Sequence, residues 1–250
     1  ARFALTDFEW EVIQLLLPTR VRWVKCADHR RVLERHLLAA QDRGAVSGHS
    51  GTDGPYTTCV NRFNRGRRAG HWARILQAVS EAYHGDIQMI DSSSIRVHQH
   101  GPKKGGDPTA WALRGGLTKI HALVDAVGRP IRLKLTEGQA HDGRSAVDIL
   151  ASVGPGQTLL ADRSYDSDGL HRSLTAHGAG VCIRLMPTRK RLPPFDRILY
   201  RQRNQIERFF HKLKHFRAVA TRYDKRHNNF LASVQLASIR IWLRTYEAVT

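Results

Sequence analysis

Two aspartates and a glutamate stand where this sequence could build carboxylate chemistry. Asp91 closes the apolar run "DIQMID", Asp162 closes "QTLLAD", and Glu207 sits among cations in "YRQRNQIERFFHKLKH". Acids that follow buried strands lie at the crevice where open α/β sheets bind ligands. Brought together without a cation, three carboxylates repel and raise one another's pKa values. Mg²⁺ or Mn²⁺ removes that penalty, because hard oxygen ligands suit these ions. Two such ions can activate a water or a 3′-hydroxyl and stabilise the leaving oxygen in phosphoryl transfer. An Asp at a strand end is also commonly a turn former or helix cap, so either aspartate alone carries little weight.

The elements that must position these acids begin after Gly85. "DIQMID" reads as a strand that "SSSIRVHQH" could continue, and "GPKKGGDP" reads as a loop. "LTKIHALVDAVGRPIRLKLTEG" reads as two strands joined by a turn at Val127 to Arg129. There follow a helix in "DGRSAVDILASV", a strand in "QTLLAD", a helix in "SDGLHRSLTAHG" and a strand in "AGVCIRL". The helix of Glu207 and a long amphipathic helix in "NNFLASVQLASIRIWLRTYEAV" end the chain. The order predicts a mixed α/β layer arrangement with helices covering the sheet.

Residues 1–83 read differently, as a small basic helical domain ahead of the 84–250 α/β domain. "TDFEWEVIQLLLP" has a cap at Thr6, Glu9 three residues on, and a stop at Pro18. "DHRRVLERHLLAAQDRG" is a second helix ended by Gly44, and "AVSGHSGTDGPY" a loop. Helical pattern resumes at Tyr56, with interruptions expected at Gly66 and Gly70. "NRFNRGRRAGHW" places Arg62 and Arg65 on a helix fit either to contact phosphates or to form a solvated basic face.

Forty Lys and Arg against 22 Asp and Glu give a formal charge of +18. Such an excess favours a polyanionic partner, most often nucleic acid. A basic body around an acidic site is what a metal-dependent enzyme acting on a phosphate backbone requires. No run of about 18 apolar residues predicts a membrane span. The start has no signal-peptide form, and the missing initiator Met points to a trimmed or fragmentary beginning. Cys26, Cys59 and Cys182 lie in no metal-like spacing and read as ordinary thiols of a reducing compartment.

Taken as a helix from Tyr200, the last motif places Arg203, Glu207 and Lys214 with Tyr200 inside an arc of roughly 60°. Ile206, Phe209, Phe210, Leu213 and Phe216 supply the apolar side. Geometry alone leaves Glu207 equally suited to a surface ion pair with Arg203 and to holding a ligand. His98 and His100 form an H-x-H pair near Asp91, and His141 precedes Asp142 in "GQAHD"; a zinc site from these is the lesser reading, beside DNA contact or hydrogen-bonding support for His98 and a loop role for His100. Lys103 and Lys104 in "KKGGD" read as DNA contacts or solvated cations, and Trp242 as core.

The motifs also resemble a known family, the IS4/IS5 type of bacterial insertion-sequence DDE transposases, and most closely its IS5-like subgroup. That group carries a Tyr, Arg, Glu, Lys series with gaps of two, three and six residues, the spacing of Tyr200, Arg203, Glu207 and Lys214. "MIDSSSIRVHQH", "RGGLTKIHALVDAVGRPIRL", "GQAHD", "LLADRSYD" and "ERFFHKLKHFRAVATRYDK" resemble it too, as do "LTDFEWEVIQLLLP" and "GPYTTCVNRFNRGRRAG".

The resemblance implies a ribonuclease H-like mixed sheet flanked by helices, with Asp91, Asp162 and Glu207 as ligands of Mg²⁺ or Mn²⁺, two ions in all. It implies that Tyr200, Arg203 and Lys214 contact DNA beside the site. It further implies cleavage at transposon ends and joining to target DNA, terminal inverted repeats as substrate, a homodimer or larger synaptic assembly, and a bacterial, nucleoid-associated setting. A related endonuclease that does not join, and an inactive DNA-binding remnant, stay open beside that reading. The 45 residues from Asp162 to Glu207 leave no room for the β-rich insertion of some relatives. Departures from the family pattern fall in "AVSGHSGTDGPY" and "GGDPTAWALRGGLTK".

Overall fold

The computed structural model describes residues 4–17, 28–41, 56–81, 85–98, 116–145, 147–190, 193, 195–224 and 226–247. The loops expected at 45–56 and 101–108, with Lys103, Lys104 and His100, lie almost wholly outside the described residues.

Apolar residues at helical spacing form four N-terminal helices, α1 (Asp7–Gln14), α2 (His29–Gln41), α3 (Tyr56–Arg68) and α4 (His71–Glu81). The capping box at α1 forms as expected, with Thr6 accepting from the Glu9 amide and Glu9 from the Thr6 amide. Gly70 breaks α3 from α4 in a left-handed turn at φ 69°. Gly66, also expected to interrupt, instead lies buried inside α3. A Cβ there would stand 2.9 Å from the Trp72 ring, so this glycine admits a close aromatic contact.

The sheet begins with β1 (Ile87–Val97), β2 (Leu117–Asp125) and β3 (Pro130–Glu137). The two short helices α5 (Asp142–Ser145) and α6 (Val147–Leu150) lead to β4 (Thr158–Ala161). After a 3₁₀ turn at Arg163–Tyr165 come α7 (Asp168–Ala176) and β5 (Gly180–Ile183). The chain then runs through α8 (Arg197–Tyr200), a 3₁₀ turn at Arg201–Arg203, and α9 (Asn204–Lys214). It ends in α10 (Arg217–Ala220), the two-residue β6 (Thr221–Arg222) and α11 (His227–Glu247).

Among the described residues the sheet has six strands in the order β3-β2-β1-β4-β5, with β6 also on β1. β1–β2 and β2–β3 are antiparallel hairpin partners, and β1–β4 and β4–β5 are parallel. The turn at Val127 to Arg129 holds, with Gly128 at φ 82° and Asp125 accepting from the Val127 and Arg129 amides. The two-residue β6 was not legible, since two residues carry no alternation to read.

Apolar side chains fill both sides of this sheet. On one side Ile206, Phe209, Phe210 and Leu213 of α9 pack with Met89, Ile95, Ile120, Ala122 and Val124. On the other, Ile90, Leu123 and Ala161 pack with Ile149, Leu150 and Tyr165. Burial of each large side chain contributes about 1.5–3 kcal/mol, enough to pin α9 to the sheet. A third cluster joins Ile13, Leu33, Trp72 and Ile75 of the N-terminal helices to Leu236, Ile239 and Trp242 of α11. The N-terminal helices thus share a core with the last helix of the chain. Trp242, fully buried as expected, donates to the Pro130 carbonyl at 2.6 Å.

Candidate active site

The pairing pattern of β1 opens the site. One edge of β1 pairs with β2 over nearly its whole length. The other edge pairs with β4 only from Ile87 to Met89, and with β6 only at Arg96 and Val97. Asp91 lies in the uncovered stretch between. It is not at the end of β1, as one reading of "DIQMID" had it. The strand continues through "SSSIRV", and what ends beside Asp91 is the partner strand β4. Asp162 follows β4 directly and caps the 3₁₀ turn, accepting from the Ser164 amide at 2.9 Å and the Ser164 hydroxyl at 2.5 Å. The strand end beside Asp91 is therefore that of β4, whose pairing with β1 stops at Met89.

α9 brings the third acid. Its apolar side faces the sheet, which leaves Glu207 on the outer flank, near Arg203 one turn back. Arg203 donates from Nη1 to Glu207 Oε1 at 2.8 Å and from Nη2 to Asp91 Oδ2 at 2.6 Å. One guanidinium thus bridges acids from two elements far apart in sequence, standing where a counter-cation is needed. Of the two readings left even by the sequence, the ion pair of Glu207 with Arg203 is present, and the same arginine also reaches Asp91.

The helix carrying these residues is not the uninterrupted α-helix expected from Tyr200. Residues Arg201–Arg203 tighten to 3₁₀ geometry between α8 and α9. In a 3₁₀ turn positions i and i+3 eclipse, which sets Tyr200 and Arg203 on one face more closely in register than α-helical rotation does. Tyr200 is half-buried, with its ring 5.1 Å from that of Phe195. Burial pushes its hydroxyl upward, and the charges of Arg203, Asp162, Arg184 and Asp91 also reach it. Lys214 is exposed at the far end of α9.

Burial raises the Asp91 carboxyl to about 6. The Arg203 charge and the Ser92 amide act against that rise, while Asp162 and Asp142 add to it. Asp162 is therefore within electrostatic reach of Asp91, and so is a fourth acid, Asp142, that the sequence reading did not place there. Asp142 accepts from the Ser92 hydroxyl at 2.8 Å and from Lys119 Nζ at 3.0 Å. Its only sequence signal was its place in "GQAHD". His121 lies fully buried nearby, held down to about 4 by burial.

The donor chemistry fits a hard divalent cation. Carboxylate oxygens of Asp91 and Glu207 already converge on one positive group, and a neighbouring Asp162 charge adds to the need for one. Among the described residues, no group of three His, Cys, Asp or Glu stands close enough as placed to hold a metal. The present cation is Arg203. The zinc reading of the histidines gains nothing: His98 packs on Tyr223 at 4.5 Å and His141 is exposed.

Arg62 and Arg65 are not brought to the acids. They line a cleft of about 300 Å³ on the N-terminal helices with His29, His71 and Trp72.

Residues 83–242 match the transposase DDE domain family. The chain belongs to the DDE transposase family. At family level this DDE transposase is an enzyme that binds and cuts DNA. It is 41% identical over 128 residues to a putative transposase for insertion sequence element IS6501 from Brucella ovis, covering 51% of this chain and 98% of that one. It is 29% identical to a putative transposase for element IS402 from Burkholderia cepacia, over 52% of this chain and 65% of that relative. The described fold is similar to a piggyBac transposase in a synaptic complex with hairpin DNA, with a TM-score of 0.54 at 10% identity, over 98% of this chain and 73% of that one. The sheet order and flanking helices of the DDE domain are those of the ribonuclease H-like fold. No helix among the described residues is long and apolar enough to cross a membrane.

Proposed function

We propose that this DDE transposase cuts DNA at the terminal inverted repeats of a mobile element and joins the released 3′-hydroxyl to target DNA. Asp91, Asp162 and Glu207 are its metal-holding acids. The observation that carries this reading is the bridge from Arg203 to both Asp91 and Glu207 beside Asp162.

When bound, one or two Mg²⁺ or Mn²⁺ ions supply charge neutralisation, activation of a water or 3′-hydroxyl, and stabilisation of the leaving oxygen. The other roles belong to the chain. Asp91, half-buried on β1, presents its carboxyl at the open edge of that strand. Asp162 is oriented by two donors of Ser164, both of which hold Oδ1. Glu207, on the exposed flank of α9, completes the set of acids. Arg203 forks onto phosphate through the same two nitrogens that now hold acids. Tyr200 donates to phosphate or stacks on a displaced base, and Lys214 adds a point charge farther along the backbone.

Residues 1–83 act as a basic helical DNA-binding domain ahead of the catalytic domain at 84–250. Arg62 and Arg65 contact phosphates there; Lys103 and Lys104, which follow β1 in sequence, contact phosphates as well. The working form is a homodimer or larger synaptic assembly on paired DNA ends, in the nucleoid of a bacterial cytoplasm.

Incubation with terminal inverted-repeat DNA, a target plasmid and Mg²⁺ tests the reading. Joined products that vanish in Asp162→Asn are expected. Ends that are cut but never joined would leave a nuclease. Salt-sensitive binding with no cutting would leave a DNA-binding remnant.

A further inference from the structure

The segment at residues 140–143, which enters α5, reaches β1, β2 and the 3₁₀ turn that follows β4. Asp142 Oδ1 accepts from the hydroxyl of Ser92, the residue after Asp91, at 2.8 Å. The same oxygen accepts from Lys119 Nζ at 3.0 Å, and Lys119 also donates to the Ala140 carbonyl at 2.9 Å. One residue on, Gly143 lies so close to the 3₁₀ turn that an added Cβ would stand 3.1 Å from the Ser164 carbonyl oxygen. Ser164 is the residue whose amide and hydroxyl hold Asp162. The start of α5 is thus bonded to the neighbour of one catalytic acid and packed on a near neighbour of the other.

A second feature points the same way. The Tyr165 side chain is fully buried, and its hydroxyl has no hydrogen-bond partner among the described residues. The charges of Asp142, Asp91 and Asp162 all reach that hydroxyl. An unpaired buried donor amid three carboxylates is a costly arrangement unless the site around it gains a further polar occupant.

We propose that Asp142 is a positioning residue of the DDE site: it clamps β1 at Ser92 against the turn behind Asp162 and so sets the spacing of Asp91 and Asp162. This rests on the reading of those two acids as metal ligands. Lys119 neutralises Asp142, which lets the clamp lie beside the acids without adding a full free charge. Tyr165 forms the floor under all three. Asp142 needs no contact with DNA or with the reacting atoms.

The test is Mn²⁺ binding to the DNA-free protein, followed by electron paramagnetic resonance and calorimetry, with metal-free DNA affinity and melting temperature alongside. Groups that orient metal ligands from behind typically change metal affinity by about 10–100-fold. Asp142→Ala is expected to weaken Mn²⁺ binding at least about ten-fold while DNA affinity is kept. Asp142→Asn, which keeps an acceptor for Ser92, should recover most of the loss. Ser92→Ala removes only the shared hydroxyl and should weaken Mn²⁺ binding several-fold; it carries the test if Asp142→Ala fails to fold. Asp91→Asn separates the two claims. If Asp91→Asn loses Mn²⁺ while Asp142→Ala and Ser92→Ala bind it like the parent, the positioning role is overturned and the ligand reading stands. If Asp91→Asn binds Mn²⁺ like the parent, the ligand reading falls and this one with it.

Discussion

Two arginines of this protein each bind carboxylates across a long stretch of sequence, and they do opposite things. Arg240 of α11 pairs with Glu9 of α1, 231 residues away, and also donates to the Ala4 carbonyl. The Glu9 side chain is 0% exposed and that of Arg240 7%. Arg203 reaches Asp91, 112 residues away, and Glu207, whose side chain is 59% exposed. In the first pair the partners are sealed against water and fixed in number. Any exchange there would strand a charge in the core. In the second, the Glu207 end is open to solvent while Asp91 and Arg203 are only partly exposed, at 19% and 13%, so phosphate or a metal ion could enter the bridge from the Glu207 side. The same chemistry acts as a fastener where it is closed and as an exchangeable placeholder where it is open.

The largest way to break this contrast lies on the open side. Asp162→Asn should lower cleavage roughly 1,000-fold or more, since removing a group that acts on the reacting centre costs several kcal/mol of transition-state stabilisation. Its melting temperature should hold or rise, because a charge is lost from an acidic cluster. Retained cleavage in a gel assay would mean that the exchangeable site is not where the chemistry happens.

On the closed side the effect falls on stability. Glu9→Ala should cost about 3–5 kcal/mol in urea unfolding, the penalty for leaving Arg240 buried without its partner. Replacing both residues with apolar side chains should return much of that loss. A cost below about 1 kcal/mol would place this pair with ordinary surface bridges.

His121 sharpens the comparison through pH. Its folded-state pKa is depressed to about 4 from 6.5 by burial. Between those values the unfolded chain holds a proton that the folded chain does not. The stability contribution is therefore complete above about pH 6.5 and is lost as pH falls toward 4. His121→Gln should flatten this decline by about 2–3 kcal/mol near pH 4. An unchanged slope in thermal melts at the two ends of the window would show that the imidazole stays accessible to protons.

The smallest stability effect belongs to Arg203 itself. Arg203→Gln should change stability by less than about 1 kcal/mol, because the Glu207 arm is largely open to water and loss of the Asp91 arm is partly offset by protonation. DNA affinity should fall nonetheless, and Arg203→Lys should not restore it, since an ammonium cannot fork. A loss of several kcal/mol would make Arg203 a fastener like Arg240.

What was legible in the sequence followed the range of the interactions. The capping box of Thr6 and Glu9 is an i, i+3 pattern and could be read directly. That Glu9 also holds Arg240 could not, because nothing local records a contact across the whole chain. Asp91 and Asp162 stood out because each closes a short apolar run, yet whether β1 stopped at Asp91 could not be read from that run alone. Gly66 looked like a helix breaker because its reason for being small, the Trp72 ring, lies in the next helix. The 3₁₀ turn at Arg201–Arg203 left no mark in composition. Asp142 was quoted within a motif but passed over, since its partners Ser92 and Lys119 come from two other strands. The division at residue 83 tracked a change in pattern, while the shared core of Trp72 and Trp242 across it was invisible to any window of sequence.

The central claim is that Asp91, Asp162 and Glu207 form one metal site in which Arg203 is the present counter-charge. The most direct measurement is a crystal structure of the protein soaked in Mn²⁺, with the ions located by anomalous scattering. The account predicts Mn²⁺ peaks within coordination distance of the Asp91 and Asp162 carboxylates, absent from Asp91→Asn crystals treated alike. Crystals with no Mn²⁺ at these acids, and with Arg203 still bridging Asp91 and Glu207, would contradict it.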